Sequence, residues 1–205
     1  MKVKILKQNK EEINFQIEEM NHSFANELRR IMTSEILTMT IEFVDFKKND
    51  SSFPDELIAN RLGQIPLTFD RKAYNLKETC ENCKGKGCSR CQVELVLKKK
   101  GSGIIYSGDL KSKAKDVQPM FDKIPIVELF GDKNEVQFEA IAQLGSGRMH
   151  AKWQAAVVGY KYDGSNFTFN VESVSGLNPE EIVLSAAEYL EDKASEFEKA
   201  IGKLK

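Results

Sequence analysis

Four cysteines lie in one short segment of this sequence, at Cys80, Cys83, Cys88 and Cys91, with the spacing C-x2-C-x4-C-x2-C. A C-x2-C turn lets two thiolates reach one ion while backbone amides point toward the sulfurs. Two such turns complete a tetrahedral sulfur shell that is closed to water. Glycines in the connector between the pairs supply the backbone freedom that folds the second turn back on the first. The spacing therefore predicts a structural metal site.

Zinc is the expected ion because tetrahedral thiolate ligands suit it. An iron–sulfur cluster is the alternative, although this spacing differs from the bacterial ferredoxin run, which ends in Cys-Pro. A redox dithiol is less expected, since two C-x2-C pairs this close together would chelate an ion before they cycled. Four unliganded cysteines would need an apolar core, whereas this segment carries Lys84, Lys86 and Arg90. Those cations would partly offset the charge of four thiolates.

The sequence contains no recognisable catalytic motif. Its two histidines, His22 and His150, belong to no nucleophile, metal or acid–base motif, and no P-loop, G-x-G-x-x-G or H-E-x-x-H occurs. The Gly-Ser-Gly at 145–147 is followed by Arg-Met-His, which is not a nucleophile elbow. We therefore expect a chain without a catalytic site of its own.

Composition also argues against some classes of protein. The 205 residues are 41% hydrophobic, which is enough for one large or two small domains. Thirty basic and thirty-one acidic residues give a net charge of -1, which argues against binding nucleic acid mainly by phosphate neutralisation. No run reaches the roughly 18 apolar residues of a membrane span, and the N-terminus lacks signal-peptide features. We expect a cytoplasmic protein, where clustered cysteines bind metal rather than pair as disulfides.

The elements that must position these residues begin with a predicted β-hairpin, at residues 2–7 and 11–20, because apolar and polar residues alternate there. Ser23 is predicted to cap a helix that runs to about Ile36. A third strand follows, with Met39, Ile41 and Phe43 on one face. Polar residues 47–52 then predict a domain boundary.

The middle of the chain is predicted to be mostly β structure. Pro54 precedes a short predicted helix at 55–62, which Gly63 ends. The predicted extended segments after the cysteines are residues 93–97, 104–106, 124–129 and 136–144. The glycines at 145 and 147 predict a second boundary.

The last part of the chain combines a hairpin with a long helix. Residues 151–162 and 167–174 are predicted strands around the turn 163–166, and Asn178 and Pro179 open the helix. Its apolar residues follow a heptad pattern at Val183, Ala187, Leu190, Ala194, Phe197, Ile201 and Leu204. This stripe fits packing on the protein's own sheet or, in part, on a partner subunit. Further apolar residues widen the surface at Ile182, Ala186, Tyr189 and Ala200.

Three segments resemble the α-like subunits of multisubunit RNA polymerases. Residues 21–30, NHSFANELRR, resemble that family's N-S-x-x-N-x-L-R-R helix. Residues 53–67, FPDELIANRLGQIPL, look like the P-D-E-x-x-A-x-R-L-G-x-I-P-L stretch of the archaeal D-type subunits and their eukaryotic counterparts. Residues 142–153, AQLGSGRMHAKW, are similar to the A-x-L-G-x-G-x-x-H-A-K-W segment of the same proteins. With Tyr106-Ser107-Gly108-Asp109-Leu110, these segments cover most of the chain in the family's order.

The resemblance implies an α+β fold in two parts. Residues 1–46 and 148–205 would form a discontinuous α-like dimerisation domain, and residues 47–147 an inserted β-rich domain with the metal loop at 80–91. It further implies a non-catalytic subunit of a nucleotidyltransferase complex that acts in transcription. The chain would pair with a small α-like partner, subunit L in archaea, and support assembly of the large catalytic subunits. DNA and RNA would be contacted only through the complex.

Residues matching the family's helices are the expected partner interface. They are Phe24, Leu28, Arg29, Arg30, Ile31, Leu190, Phe197 and Ile201. Arg61 is expected to anchor the turn at 63–67 or to contact a large subunit.

The sequence departs from the family at one place. Many archaeal members carry a cysteine-rich, ferredoxin-like insertion after the A-K-W segment, and some hold an iron–sulfur cluster there. Here only the turn 163–166 joins the two strands, and the cysteines lie where eukaryotic members have a zinc loop, which favours zinc. The alternative function is a zinc-dependent chaperone or nucleic-acid-binding module. Residues 80–87 resemble one C-x-x-C-x-G-x-G repeat of DnaJ-type chaperones, which need several such repeats.

Overall fold

Ten strands and three α-helices make up the computed structural model, which describes residues 1–203. Their mixture confirms the predicted α+β class. The backbone contacts divide the chain into two units. One combines Met1–Leu37 with the described part of Ser146–Lys205, and the other is Thr38–Gly145.

The discontinuous unit contains an antiparallel sheet and two helices. Its strands are ordered β1-β2-β10-β9 across the sheet. The bounds are β1 Lys2–Gln8, β2 Glu12–Glu18, α1 His22–Ser34, β9 Ala156–Asp163, β10 Asn166–Ser173 and α3 Pro179–Gly202. The predicted turn at 163–166 is confirmed, since Asn166 pairs directly with Asp163.

Aromatic residues fill the buried face of this sheet. The period-2 alternation of β2 places Ile13, Phe15 and Ile17 inward. Phe15 lies opposite Phe169 of β10, and their rings stack with centroids 5.1 Å apart. Because Phe169 is fully buried, the two ends of the chain share one core.

Helix α1 begins two residues earlier than expected. Asn21, not Ser23, is the N-cap, because its Oδ1 accepts a 2.7 Å hydrogen bond from the Phe24 backbone N–H. The helix ends at Ser34, before Ile36. Its buried side chains recur every three or four residues, at Ala25, Leu28, Ile31 and Met32.

Helix α3 begins where the sequence predicts. Asn178 is its N-cap, and the Glu181 carboxylate accepts a 2.8 Å hydrogen bond from the Asn178 backbone N–H in a capping box. Ile182 and Ala186 are fully buried where the helix packs against α1, β2 and β10. Leu204, which continues the heptad pattern, lies outside the described residues.

The second unit contains two small sheets and one helix. The larger sheet has the order β3-β8-β4-β6, and β5 pairs with β7. The bounds are β3 Leu37–Asn49, α2 Asp55–Gly63, β4 Gln92–Lys100, β5 Gly103–Tyr106, β6 Lys111–Ser112, β7 Pro125–Leu129 and β8 Glu135–Ser146. A 3-10 turn occurs in this unit at Ser107–Asp109. Another, at Ala151–Trp153, lies in the discontinuous unit, so the strand predicted from residue 151 begins only at Ala156.

The first division between the units falls at Leu37, earlier than the predicted boundary after residue 46. Strand β3 is continuous from Leu37 to Asn49, so it includes the first three residues of the polar stretch 47–52 that predicted the boundary. The charged residues there belong to the strand's exposed end. Lys48 lies 3.0 Å from Asp50 and 3.4 Å from Glu135.

Among the described helices, none has both the length and the apolar character needed to cross a bilayer.

We predict that Gly147→Ala destabilises the discontinuous unit by about 1–3 kcal/mol, the usual effect of overpacking. A Cβ at Gly147 would lie 3.0 Å from the Ser34 Cα and 3.0 Å from the Thr33 carbonyl oxygen, both backbone atoms that cannot easily yield. The neighbouring Arg148 N–H also donates to the Ser34 carbonyl oxygen at 3.1 Å. Denaturant unfolding measures the loss.

Gly159→Ala is the matched control, because a Cβ there meets nothing within 4 Å. We expect its free energy of unfolding to equal or slightly exceed that of the wild type. Equal stability of the two variants would contradict the close approach at Gly147.

Candidate metal centre and docking surface

Each cysteine pair sits in a tight, helix-like turn. The Lys84 N–H donates to the Cys80 carbonyl oxygen at 2.8 Å, and the Gln92 N–H donates to the Cys88 carbonyl oxygen at 2.9 Å. Between the turns, Gly85 and Gly87 have φ angles of 83° and 101°, a region that favours glycine. The predicted role of these glycines in folding the second turn back is therefore confirmed.

The sulfur positions fit a single tetrahedral ion. The Sγ–Sγ distances are 3.8 Å for Cys80–Cys88, 3.6 Å for Cys83–Cys91 and 3.7 Å for Cys88–Cys91. All four Sγ atoms lie within 4.8 Å of one another. A tetrahedron with metal–sulfur bonds of about 2.3 Å has edges of about 3.8 Å. The four thiols are free of disulfides, and the cluster can hold a metal ion.

Hydrogen-bond donors point at three of the four sulfurs. The Gly87 N–H donates to Cys83 Sγ at 3.3 Å, and the Cys88 N–H donates to Cys91 Sγ at 3.2 Å. The Asn82 side-chain amide donates to Cys88 Sγ at 3.5 Å. Such donors stabilise a thiolate, which is the form that binds a metal.

The thiols of the second pair titrate far apart. The hydrogen bond from the Asn82 amide, helped by the Arg90 backbone N–H, lowers the pKa of Cys88 to about 6. Burial raises the pKa of Cys91 to about 12. An ion can bind only after these thiols lose their protons, so metal binding releases protons and weakens as the pH falls.

The loop has little apolar core of its own. Between Tyr74 and Cys91, Cys80 is the one buried residue. The loop is nevertheless joined to the sheet, because Cys91 immediately precedes β4 and the Asn75 N–H donates to the Arg90 carbonyl oxygen at 2.8 Å. An ion bound by all four cysteines would fix this polar segment to β4. Its four coordination positions would all be filled, so no substrate could bind to it.

Arg61 anchors α2 to β7. Its guanidinium donates to the Ile126 carbonyl oxygen at 2.9 Å and lies over the Phe53 ring, 4.7 Å from the centroid. These contacts lie at Ile126 and Phe53, not at the turn 63–67 that Arg61 was expected to anchor, and a contact with a large subunit stays a prediction.

The structure separates the expected interface residues into buried and accessible groups. Leu28 and Ile31 are buried in the core of the discontinuous unit, because they lie on the face of α1 that packs against α3 and β9. They are therefore not surface residues of this chain. The accessible group consists of Phe24, Arg29, Arg30, Leu190, Phe197 and Ile201.

Helix α3 changes character along its length. Up to Tyr189 it has a buried side, whereas no residue from Glu191 to Lys203 is buried. Phe197 is 68% exposed and Ile201 is 45% exposed. Packing on the chain's own sheet therefore explains only the first half of the apolar stripe.

Two side chains that the sequence analysis did not single out organise these sites. Asn82 reaches from the first cysteine pair to the second, as described above. The Glu35 carboxylate accepts a 3.2 Å hydrogen bond from the Tyr189 hydroxyl and lies 3.3 Å from the Arg148 guanidinium, so it ties α3 to the end of α1. No sequence pattern predicts either contact, because each joins segments that only the folded chain brings together.

His22 packs against two aromatic rings. Its ring meets Tyr162 and Phe167 edge-on, with centroids 4.5 Å and 5.0 Å away.

The chain has clear relatives among known proteins. The family model described as the RNA polymerase Rpb3/RpoA insert domain matches residues 30–159. A protein of Methanosphaera stadtmanae named DNA-directed RNA polymerase subunit Rpo3 is 44% identical over 168 residues, which cover 79% of this chain and 61% of that protein.

Proteins of the same name from two other archaea are similar. The Methanothermobacter thermautotrophicus protein is 42% identical over 155 residues, covering 74% of this chain and 58% of that protein. The Pyrococcus horikoshii protein is 42% identical over 162 residues, covering 79% and 60%. The chain thus spans about 60% of the length of these relatives. Because the family model covers more than half of it, the chain belongs to the Rpb3/RpoA family of α-like RNA polymerase subunits.

Proposed function

We propose that this chain is a non-catalytic assembly subunit of a DNA-dependent RNA polymerase, which pairs with a small α-like partner, subunit L. The observation that carries the proposal is the exposed apolar stripe on the second half of α3. The name of the relatives points to RNA polymerase as the complex. The stripe is the surface through which this chain would join it.

The stripe has the spacing of a helix that packs against another helix. Ala187, Leu190, Ala194, Phe197 and Ile201 follow one another at intervals of three or four residues, and so lie along one side of α3. Apolar side chains aligned in this way on a surface mark an interaction site. A partner helix would bury them.

Helix α1 would add charge and one aromatic side chain to the same interface. Phe24 is 38% exposed, and Arg30 is exposed near the far end of that helix. Arg29 is half-buried and donates to the Asn26 side-chain oxygen at 3.1 Å. Aromatic residues and arginine are the types most enriched at interface hot spots.

The paired subunits would form the platform on which the large catalytic subunits assemble in the cytoplasm. Small assembly subunits would join them. Nucleic acid would be contacted only through the complex, in keeping with the net charge of -1.

We further propose that the ion in the 80–91 loop is zinc, with a structural role. The sulfur spacing supports one ion over an iron–sulfur cluster, because a cluster divides its four cysteines between two or four iron atoms, which spreads the sulfurs apart. A tetrahedral set of four thiolates is a preferred zinc environment. Zinc would supply the loop with the cohesion that its few buried side chains do not.

We predict that Phe197→Glu weakens binding to the small α-like partner at least about 30-fold, since loss of a central aromatic contact costs 2 kcal/mol or more. The reason is that the charged side chain must stay hydrated where the partner helix would pack. Isothermal titration calorimetry of the purified subunits measures the change, and light scattering of the mixture reports the stoichiometry.

Phe130→Glu is the matched control, because Phe130 is 71% exposed and lies in the other unit. We expect it to bind the partner as the wild type does. If Phe197→Glu bound equally well, the stripe would not be the docking surface. A well-behaved wild-type monomer that ignores the partner would overturn the proposed function itself.

We predict that Cys83→Ser removes bound zinc and lowers the unfolding temperature by roughly 5–10 °C, given that each kcal/mol is worth about 2–4 °C in a chain of this size. Three remaining thiolates hold zinc more weakly, and the polar loop then loses its support. Elemental analysis, the visible spectrum and a thermal melt provide the three measurements.

Ser89→Ala, in the same loop, is the control and should keep both zinc and unfolding temperature. A brown preparation containing iron would reject zinc. If Cys83→Ser left the polymerase intact and fully assembled but altered its nucleotide addition, the structural role would be wrong.

A further inference from the structure

Asn82 is the side chain that links the two halves of the metal loop. It lies between Cys80 and Cys83 in sequence, yet its Nδ2 atom donates to the sulfur of Cys88, in the second pair, at 3.5 Å. Cys83 and Cys91 receive their hydrogen bonds from backbone N–H groups. Cys88 has the Arg90 backbone N–H beside it as well, but one of its donors is a side chain, which substitution can remove.

The location of Cys88 gives this contact its importance. Cys80 and Cys91 are buried, and packing holds them in place, whereas Cys88 is half-buried. A half-exposed thiolate can rotate toward water. A neutral amide donor counters that rotation and reduces the charge on the sulfur, without adding a further charge to a site that would already carry four thiolates.

We propose that Asn82 is a positioning residue that orients the Cys88 thiolate toward the ion and raises the affinity of the loop for zinc. This inference rests on the proposed single-ion centre. Asn82 itself does not touch the ion. It acts through the ligand, as residues outside the ligand sphere do in other metal sites, where their loss costs about 10–100-fold in affinity.

Two substitutions separate donation from space filling. Asn82→Ala removes the donor, and Asn82→Asp keeps the shape but replaces the donor with a carboxylate that repels the thiolate. We expect zinc affinity to fall about tenfold in Asn82→Ala. We expect a larger fall in Asn82→Asp. A side chain that only filled space would give the opposite order, with the aspartate close to the wild type.

Asn75 provides matched controls in the same segment. It is exposed, and its hydrogen bond to the Arg90 carbonyl oxygen uses the backbone N–H rather than the side chain. Asn75→Ala and Asn75→Asp therefore reproduce both chemical changes without removing the side-chain contact to sulfur. We expect both to bind zinc as the wild type does.

The measurement is competition for Zn²⁺ between the full-length chain and a chromophoric chelator. Co²⁺ loaded into the same chain adds a readout that tests the sulfur directly. A hydrogen bond stabilises the sulfur electrons, so its loss should move the sulfur-to-cobalt charge-transfer band of Asn82→Ala to longer wavelength. Asn75→Ala should leave that band in place.

The results divide clearly. The order wild type, Asn82→Ala, Asn82→Asp in falling zinc affinity, with the band shift, supports the proposal. Unchanged affinity in Asn82→Ala, or near-wild-type affinity in Asn82→Asp, overturns it while leaving the metal centre intact. A wild-type chain that binds neither Zn²⁺ nor Co²⁺ overturns the centre and this inference together, and leaves the proposed docking by α3 untouched.

Discussion

The pairing of β2 with β10 is the constraint on which the discontinuous unit depends. It joins Phe15 to Phe169 across the length of the chain, and both rings lie in the buried face of the sheet. Closing so long a loop has an entropy cost that grows only slowly with length, so a whole inserted unit is tolerated between the paired strands. Burial of the aromatic face offsets that entropy cost. Both helices that carry the proposed interface pack on elements whose positions this strand pair determines.

Helix α3 continues beyond the part that this unit buries. Its 24 residues extend about 36 Å. Ile182 and Ala186 are buried, Tyr189 is held by Glu35, and beyond that point no described residue of the helix is buried. The apolar residues of the second half therefore have no partner within the described part of this unit. This unmet burial is the physical basis for the proposed assembly role.

Local patterns were predictable from the sequence, and long-range placement was not. The cysteine spacing predicted the metal loop because the ligands, turns and glycines all lie within a few residues of one another. The helix cap was assigned to Ser23 rather than Asn21, since both residues can cap and only the backbone conformation decides between them. The predicted boundary after residue 46 lies inside β3, which pairs with β8 and continues to Asn49, whereas the contact division falls at Leu37. Leu28 and Ile31 have the periodicity of an apolar face, but periodicity does not say whether the chain itself or a partner covers that face.

The metal loop and the end of α3 are two segments that lack a core of their own, and they differ in what can complete them. The loop is polar, so apolar contact cannot order it, and thiolates around an ion can. The second half of α3 is amphipathic, so an ion cannot order it, and another apolar surface can. The burial of Cys80 and Cys91, the hydrogen bonds to the sulfurs and the proposed use of all four sulfurs by one ion favour a structural role for the loop, while the stripe on α3 carries the proposed role in assembly.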